Sequence, residues 1–232
     1  MSQTNALVNF QTRKQERIES GLFDQISTRT YNAIIFATLL WGFLANALMV
    51  AYLSEPIMMF AARVGRTAIL IGYVVLAVVG ILMSTKSSNP AVSFIGYNLL
   101  VLPMGMMLCL MVPMLPAAIV VKALVLTGIV TATMVLAGIV KPDLFLSMGR
   151  TLFIAFLAAL VAELLATFVF HYHGTAFDWI FVILFSCYIG YDVAKSQAYP
   201  KTVDNAIDSA LDIYIDIVGL FIRLLSIFSR ED

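Results

Sequence analysis

Four aspartates, Asp204, Asp208, Asp212 and Asp216, recur at every fourth position late in the chain. A fifth precedes them in the run Cys187-Tyr-Ile-Gly-Tyr-Asp192-Val-Ala-Lys195. On a helix this spacing stacks side chains one turn apart along a slowly drifting face. Like charges so placed repel, so the column calls for water, cations or protons as compensation. Asp204 and Asp208 fit a solvated helix start, where negative charge is favoured by the helix dipole. Asp216 does not, because Ile213, Ile215, Ile217 and Val218 surround it and it lies about 15 Å along the helix from Ala206. Asp192 and Asp216 fall on adjoining segments joined by a short connection, which predicts antiparallel neighbours. Two carboxyl groups meeting in a low dielectric cannot both ionise cheaply, and they should share a proton. That is the chemistry of a pH-dependent latch. The plainer alternative is that each aspartate is capped by Lys195 or Lys201.

Other ionisable residues also fall inside apolar stretches, where a charge costs at least about 2.5–3.5 kcal/mol on insertion scales. Lys122 and Glu163 sit at similar depth and could form a structural ion pair, with snorkelling of Lys122 to the interface as the competitor. Arg223 follows Asp216 by seven residues, about 10 Å further along nearly the same face. It could hold part of the acidic column or cap an outer vestibule. Asp208, Asp212 and Arg223 are therefore the pore-lining candidates beside the Asp192 and Asp216 pair. His171 and His173 share a short loop without a third ligand, which favours a loop over a metal site. The twelve methionines read as helix packing. Cys109 and Cys187 both lie in apolar runs, which argues against a disulfide or metal framework.

The elements that position these residues follow from composition. Of 232 residues, 61% are apolar and 12% charged, against roughly 45–50% and about 25% in a soluble domain. That excludes an ordinary water-soluble globule and points to an all-α polytopic membrane protein. The 14 basic and 14 acidic residues cancel, which argues against a nucleic-acid partner. A spanning helix needs about 20 apolar residues, and seven stretches qualify: 31–53, 67–83, 91–112, 117–140, 151–170, 176–194 and 206–228. The last holds Asp208, Asp212, Asp216 and Arg223, so hydropathy alone returns six. Pro56, Pro90, Pro113, Pro116, Pro142 and Pro200 are expected at or between segment ends, whereas Pro103 with Gly105 predicts a kink within the third segment. The chain thus divides into a polar tail, 1–30, and a seven-helix transmembrane domain, 31–232. The tail has no short apolar core, so a removable signal peptide is not expected.

Short loops leave no room for an extramembrane domain, so function is expected within the bilayer or through partners. With the tail inside, nine basic residues (Arg13, Lys14, Arg17, Arg29, Lys86, Lys141, Arg150, Lys195 and Lys201) flank the inner side, and Arg63 and Arg66 the outer. That bias places the N-terminus in the cytoplasm of a multi-pass cell-membrane protein; the tiny loops suit a bacterial plasma membrane. No internal repeat is visible. Nucleotide-binding motifs, a Ser–His pair and a metal cluster are also missing, which argues against an enzyme. An intramembrane aspartyl protease is disfavoured because Asp216 follows Tyr214-Ile215 rather than a Gly-x-Gly run.

Tyr188-Ile-Gly-Tyr-Asp192-Val resembles the Tyr-Asp signature that ends the sixth helix of the Bax inhibitor-1 (TMBIM) family. Leu211-Asp-Ile-Tyr214-Ile-Asp216-Ile-Val-Gly-Leu220-Phe221 resembles its last-helix pattern, and Lys141-Pro-Asp143-Leu-Phe-Leu-Ser-Met-Gly149 its linker between the fourth and fifth helices. The resemblance implies a seven-helix bundle with the last helix central. It also implies a pH-sensitive calcium leak in which the positions of Asp192 and Asp216 form the proton sensor and gate. Four departures stand out. Gly219 and Arg223 occupy positions where relatives usually carry Asn, and Asp212 adds a carboxylate before the sensor. Lys122 replaces an acidic residue of some bacterial relatives, and Lys86 alone represents the basic cluster that follows their second helix.

The expected function is a pH-sensitive cation leak, with calcium as transported ion, no resident cofactor, and protons and the lipid bilayer as partners. Calcium takes six to eight oxygens; Asp192 and Asp216 with water offer only weak, exchangeable coordination, which suits passage over storage. The competing reading is a non-transporting regulator, a partner of a membrane-bound protease or of a stress-survival pathway, gripped by its polar tail.

Overall fold

The computed structural model describes residues 25–171 and 174–231. Seven α-helices account for nearly all of them: α1 (Thr28–Val64), α2 (Arg66–Lys86), α3 (Pro90–Met111), α4 (Ala117–Val140), α5 (Pro142–Phe168), α6 (Ala176–Ala198) and α7 (Val203–Glu231). A 3-10 turn at Val112–Met114 follows α3, and there is no strand among the described residues.

Local signals explain where these helices start. The Ser27 hydroxyl accepts from the Thr30 amide at 3.1 Å and opens α1. Asn89 accepts from the Ala91 amide at 2.9 Å, with Pro90 behind it, and opens α3. Gly65 alone joins α1 to α2, at φ 92°, a conformation that costs glycine little and other residues much.

Two sequence expectations are corrected here. The segment 141–150 is not a connection: α5 begins at Pro142, because a proline at the first helical position is already set for the helix and Asp143 in the first turn complements its dipole. Pro56 does not end the first segment either, since α1 continues through it to Val64. The carbonyl that Pro56 leaves without an amide belongs to Tyr52, which is 77% exposed and can be satisfied by its surroundings. Pro103 lies inside α3, as expected. Of the tail, residues 1–24 fall outside the described residues, and α1 begins at Thr28, within the stretch read as tail.

Six helices are long and apolar enough to cross a membrane; α7 is the exception. It lies between two three-helix groups, packing against α1 and α3 on one side and against α4 and α6 on the other. Three apolar clusters wrap it. Leu220, Leu224, Leu225 and Phe228 meet Ala123 and Ile189; Ile207, Leu211, Tyr214 and Val218 meet Tyr97, Leu100, Val101 and Met104; Ala206, Ala210 and Ile213 meet Tyr31, Ile35 and Val193. An amphipathic helix is thus enclosed by more apolar ones, and outward side chains of the bundle, such as Val125, Leu136 and Phe153, are exposed and suited to lipid. The sequence-based expectation of a helical membrane bundle with the last helix central matches this architecture.

Lipid supplies little hydrophobic drive between helices, so close backbone approach and hydrogen bonds hold such a bundle. Tyr31 of α1 shows how: its hydroxyl contacts the Ser209 hydroxyl at 3.0 Å and donates toward the Ser196 carbonyl at 3.1 Å, linking α1, α6 and α7. Deeper in, Asn46 of α1 donates to the Tyr214 hydroxyl, and the Tyr97 hydroxyl donates to the Thr38 carbonyl at 2.9 Å.

Candidate functional site

The position of Asp192 is set by a tight helix crossing. A Cβ added to Gly138 of α4 would stand 2.5 Å from the Gly190 carbonyl oxygen of α6, so only glycine lets the two backbones touch here. Asp192 follows Gly190 by two residues and points to α7, where Asp216 meets it. The two carboxyl groups lie within hydrogen-bonding reach of each other, and both are buried, at 8% and 6% exposure. Oδ2 of Asp216 is enclosed without a hydrogen-bond donor among the described residues. A carboxylate oxygen in that position is costly unless a proton on one of the pair joins them.

Lys195, one turn beyond Asp192, reaches both helices. Its Nζ lies 3.3 Å from Asp192 Oδ1 and 2.7 Å from Asp212 Oδ2. The side chains of Lys195 and Asp212 are partly open, at 26% and 32%. The site therefore runs from a reachable rim at Asp212 to an enclosed floor at Asp216. Tyr191 and Tyr199 flank the ammonium, with ring centroids 5.8 and 5.7 Å away. Lys201 does not cap an aspartate; it donates to the Ser196 and Gln197 carbonyls at 3.1 and 2.7 Å and closes the end of α6. Of the two lysines expected as alternative caps, only Lys195 contacts the acidic pair.

The acidic column is split. A repeat of four advances about 40° per step on a helix with 3.6 residues per turn, or about 120° from Asp204 to Asp216. Asp204 and Asp208 consequently face α2 and α3: Ser93 donates to Asp204 at 2.6 Å, and Ser84 donates to Asp208. Asp204 is buried at 7% exposure, which corrects its reading as part of a solvated helix start. Asp208 accepts from Ser84 of α2, whereas Asp212, one turn on, accepts from Lys195 of α6.

Arg223 is likewise separate from the column. It holds Glu163 of α5 through two hydrogen bonds, at 2.5 and 2.9 Å, and Asp178 of α6 at 3.0 Å. Its guanidinium lies 4.1 Å from the Phe181 ring centroid. Ser226 donates to the other oxygen of Asp178 at 3.0 Å, with Arg230 at 3.9 Å. A cavity of about 270 Å³ opens beside this cluster, lined also by Met111, Thr167, Phe177 and Ile222. Glu163, expected as the partner of Lys122, is met here by Arg223. Glu163 is taken by a fork-shaped guanidinium that can meet both of its oxygens, and the Lys122 ammonium lies 4.1 Å from the Phe228 ring centroid.

Asp178 carries one signal visible in the sequence, an acidic residue in the first turn of an apolar helix. Ser84 and Ser93 carry none. Among the described residues no three His, Cys, Asp or Glu side chains gather as a metal site, and Cys109 and Cys187 are free thiols. His171 is exposed in its loop, and His173 lies outside the described residues.

A family model described as "Inhibitor of apoptosis-promoting Bax1" matches residues 24–232, nearly the whole chain. No curated protein matches it.

Proposed function

Since the chain belongs to the Bax inhibitor-1 family, we propose that it is a pH-sensitive cation leak of the cell membrane, passing calcium, with Asp192 and Asp216 as proton sensor and gate. The single observation that carries this reading is the enclosed Asp216 Oδ2, which has no donor among the described residues while the Asp192 carboxyl stands within reach. One proton between the two groups ties α6 to α7. Loss of that proton leaves two adjacent negative charges, and their repulsion favours separation of the helices. Asp212, half-open at the rim, gives a cation its first carboxylate. The excess of basic residues in one set of connections supports a cytoplasmic position for this rim. The role is passage without a chemical step.

The test is calcium flux into liposomes holding the full chain, measured across pH. Wild-type protein is expected to show a pH-dependent rate, and Asp192→Asn or Asp216→Asn to flatten or displace that dependence. A profile unchanged in both variants would remove the gate assignment.

A further inference from the structure

We infer that the cavity beside Arg223 binds the headgroup of a zwitterionic phospholipid of the ethanolamine class, its phosphate held by Arg230 and its ammonium by Glu163. The inference goes beyond the leak reading and does not depend on it. Asp178 and Asp192 stand fourteen residues apart on α6, about 21 Å along the helix, so this site lies at the other end of the bundle from the acidic pair.

Four helix ends bound the cavity. Met111 closes α3, Thr167 lies one residue from the end of α5, Phe177 stands in the first turn of α6, and Ser226 is near the end of α7. The ends of spanning helices meet the headgroup layer, and Trp179, exposed one residue from Asp178, marks the same level. Phe168 and Phe170, also exposed, add apolar surface at that boundary. A bilayer leaflet therefore holds its headgroups against this cavity continuously. The ion pairs of the cluster are closed, yet about 270 Å³ stays open beside them; a structural tie needs no such space.

Charge selects the occupant. Two guanidinium groups and two carboxylates line the cavity, so its charge balances. A plain anion would meet Glu163 and Asp178, and a plain cation would meet the two arginines. A ligand that carries both charges avoids either penalty. The side chains most open to it are of opposite sign, Arg230 at 44% and Glu163 at 24%, whereas Asp178 is enclosed and engaged by Arg223 and Ser226. A guanidinium presents its N–H donors in a fork that matches phosphate, and Thr167 adds a hydroxyl to the lining. Each Glu163 oxygen accepts one bond from Arg223, which leaves about half of a carboxylate's lone-pair sites for an ammonium. Ethanolamine has N–H donors for those sites and choline has none. Phe177 and Ile222 give an apolar wall for the glycerol end of the lipid.

The test is native mass spectrometry of the delipidated full chain in detergent. It is titrated with phosphatidylethanolamine, phosphatidylcholine and phosphatidylglycerol of identical acyl chains, and with soluble glycerophosphoethanolamine. Wild-type protein should bind phosphatidylethanolamine about fivefold more tightly than either other lipid, the scale of one charge-assisted hydrogen bond. Glu163→Gln leaves the cluster net positive, and the ratio of phosphatidylethanolamine to phosphatidylglycerol binding should fall about tenfold. Arg230→Gln leaves it net negative, so the same ratio should rise while phosphatidylethanolamine itself binds more weakly. A purely structural role would weaken all three lipids alike and move neither ratio. If Glu163→Gln does not fold, Arg230→Gln, at the open edge, carries the test alone. Equal affinity for the three lipids in wild type, or an unchanged ratio in the folded variants, overturns the proposal. Binding of glycerophosphoethanolamine as tight as that of the lipid assigns the cavity to a water-borne ligand and overturns the lipid assignment. None of these readouts involves calcium flux, so the leak reading can fail without them, and they without it.

Discussion

Asp208 and Asp212 stand one helical turn apart on α7, yet they turn to different neighbours: Asp208 accepts from Ser84 of α2, and Asp212 from Lys195 of α6. The i+4 repeat drifts around the helix axis, so four chemically identical residues are divided into two pairs. Asp204 and Asp208 fasten α7 to the α2–α3 hairpin, whereas Asp212 and Asp216 face α6 with Asp192 and Lys195. Both pairs carry negative charge, but only the second includes a fully enclosed oxygen with no donor among the described residues.

This division predicts unequal costs. Ser93 is fully buried and donates to the buried Asp204 at 2.6 Å. Ser93→Ala takes a donor from an enclosed carboxylate and should lower stability by about 1–3 kcal/mol. Asp212→Asn touches a half-open pair, for which less than about 1 kcal/mol is expected. Thermal unfolding in detergent, compared for the two variants, reads the difference.

A second prediction concerns the shared proton. In Asp216→Asn the side-chain amide supplies the donor that a proton otherwise provides, so the Asp192 contact survives at every pH. The unfolding midpoint at neutral pH should equal or exceed that of wild type, while Asp216→Ala, which loses both volume and donor, should fall below it. A midpoint for Asp216→Asn as low as that of Asp216→Ala would show that the two carboxyls do not bond.

Much of this arrangement can be read from residue type and spacing. Apolar runs of about 20 residues locate the helices, because lipid forces backbone satisfaction within each segment. The meeting of Asp192 and Asp216 follows from two acidic residues near one end of adjoining antiparallel segments. Partner choice around a helix is harder to read. Glu163 lies sixty residues from Arg223, and nothing local tells it from Lys122 as the partner. Only the packing of α5 and α6 about α7 brings Arg223 to Glu163 and Asp178. Likewise Ser84 and Ser93 are unremarkable in sequence, and their role follows from which face of α7 meets their hairpin.

A third prediction tests that far cluster. Arg223→Lys keeps the charge but cannot span both oxygens of Glu163 and Asp178 together, and a loss of about 1–3 kcal/mol is expected. Arg223→Ala should cost more, up to about 3–5 kcal/mol, because it strips the cation from Asp178, which is 4% exposed. Glu163→Gln should be the mildest of the three, since its side chain is 24% open. Chemical unfolding in mixed micelles gives the order, and equal effects for Lys and Ala would show that the forked geometry is unimportant.

The fourth prediction sets two glycines of the same helix against each other. Alanine is intrinsically better than glycine inside a helix by up to about 1 kcal/mol, and at Gly128, where an added Cβ meets nothing within 4 Å, that gain should appear. At Gly138 the same Cβ would lie 2.5 Å from the Gly190 carbonyl oxygen, a backbone atom that cannot move alone. Gly138→Ala must therefore push α4 from α6, at a cost of about 1–3 kcal/mol, and Gly190 carries Asp192 with it two residues on. Gly128→Ala is expected to raise the unfolding midpoint and leave the pH profile of flux unchanged. Gly138→Ala is expected to lower the midpoint and shift the profile, because the Asp192 carboxyl moves relative to Asp216. Opposite signs at two positions ten residues apart, for the same single methyl group, would tie the geometry of the acidic pair to the backbone crossing beneath it; matching signs would break that link.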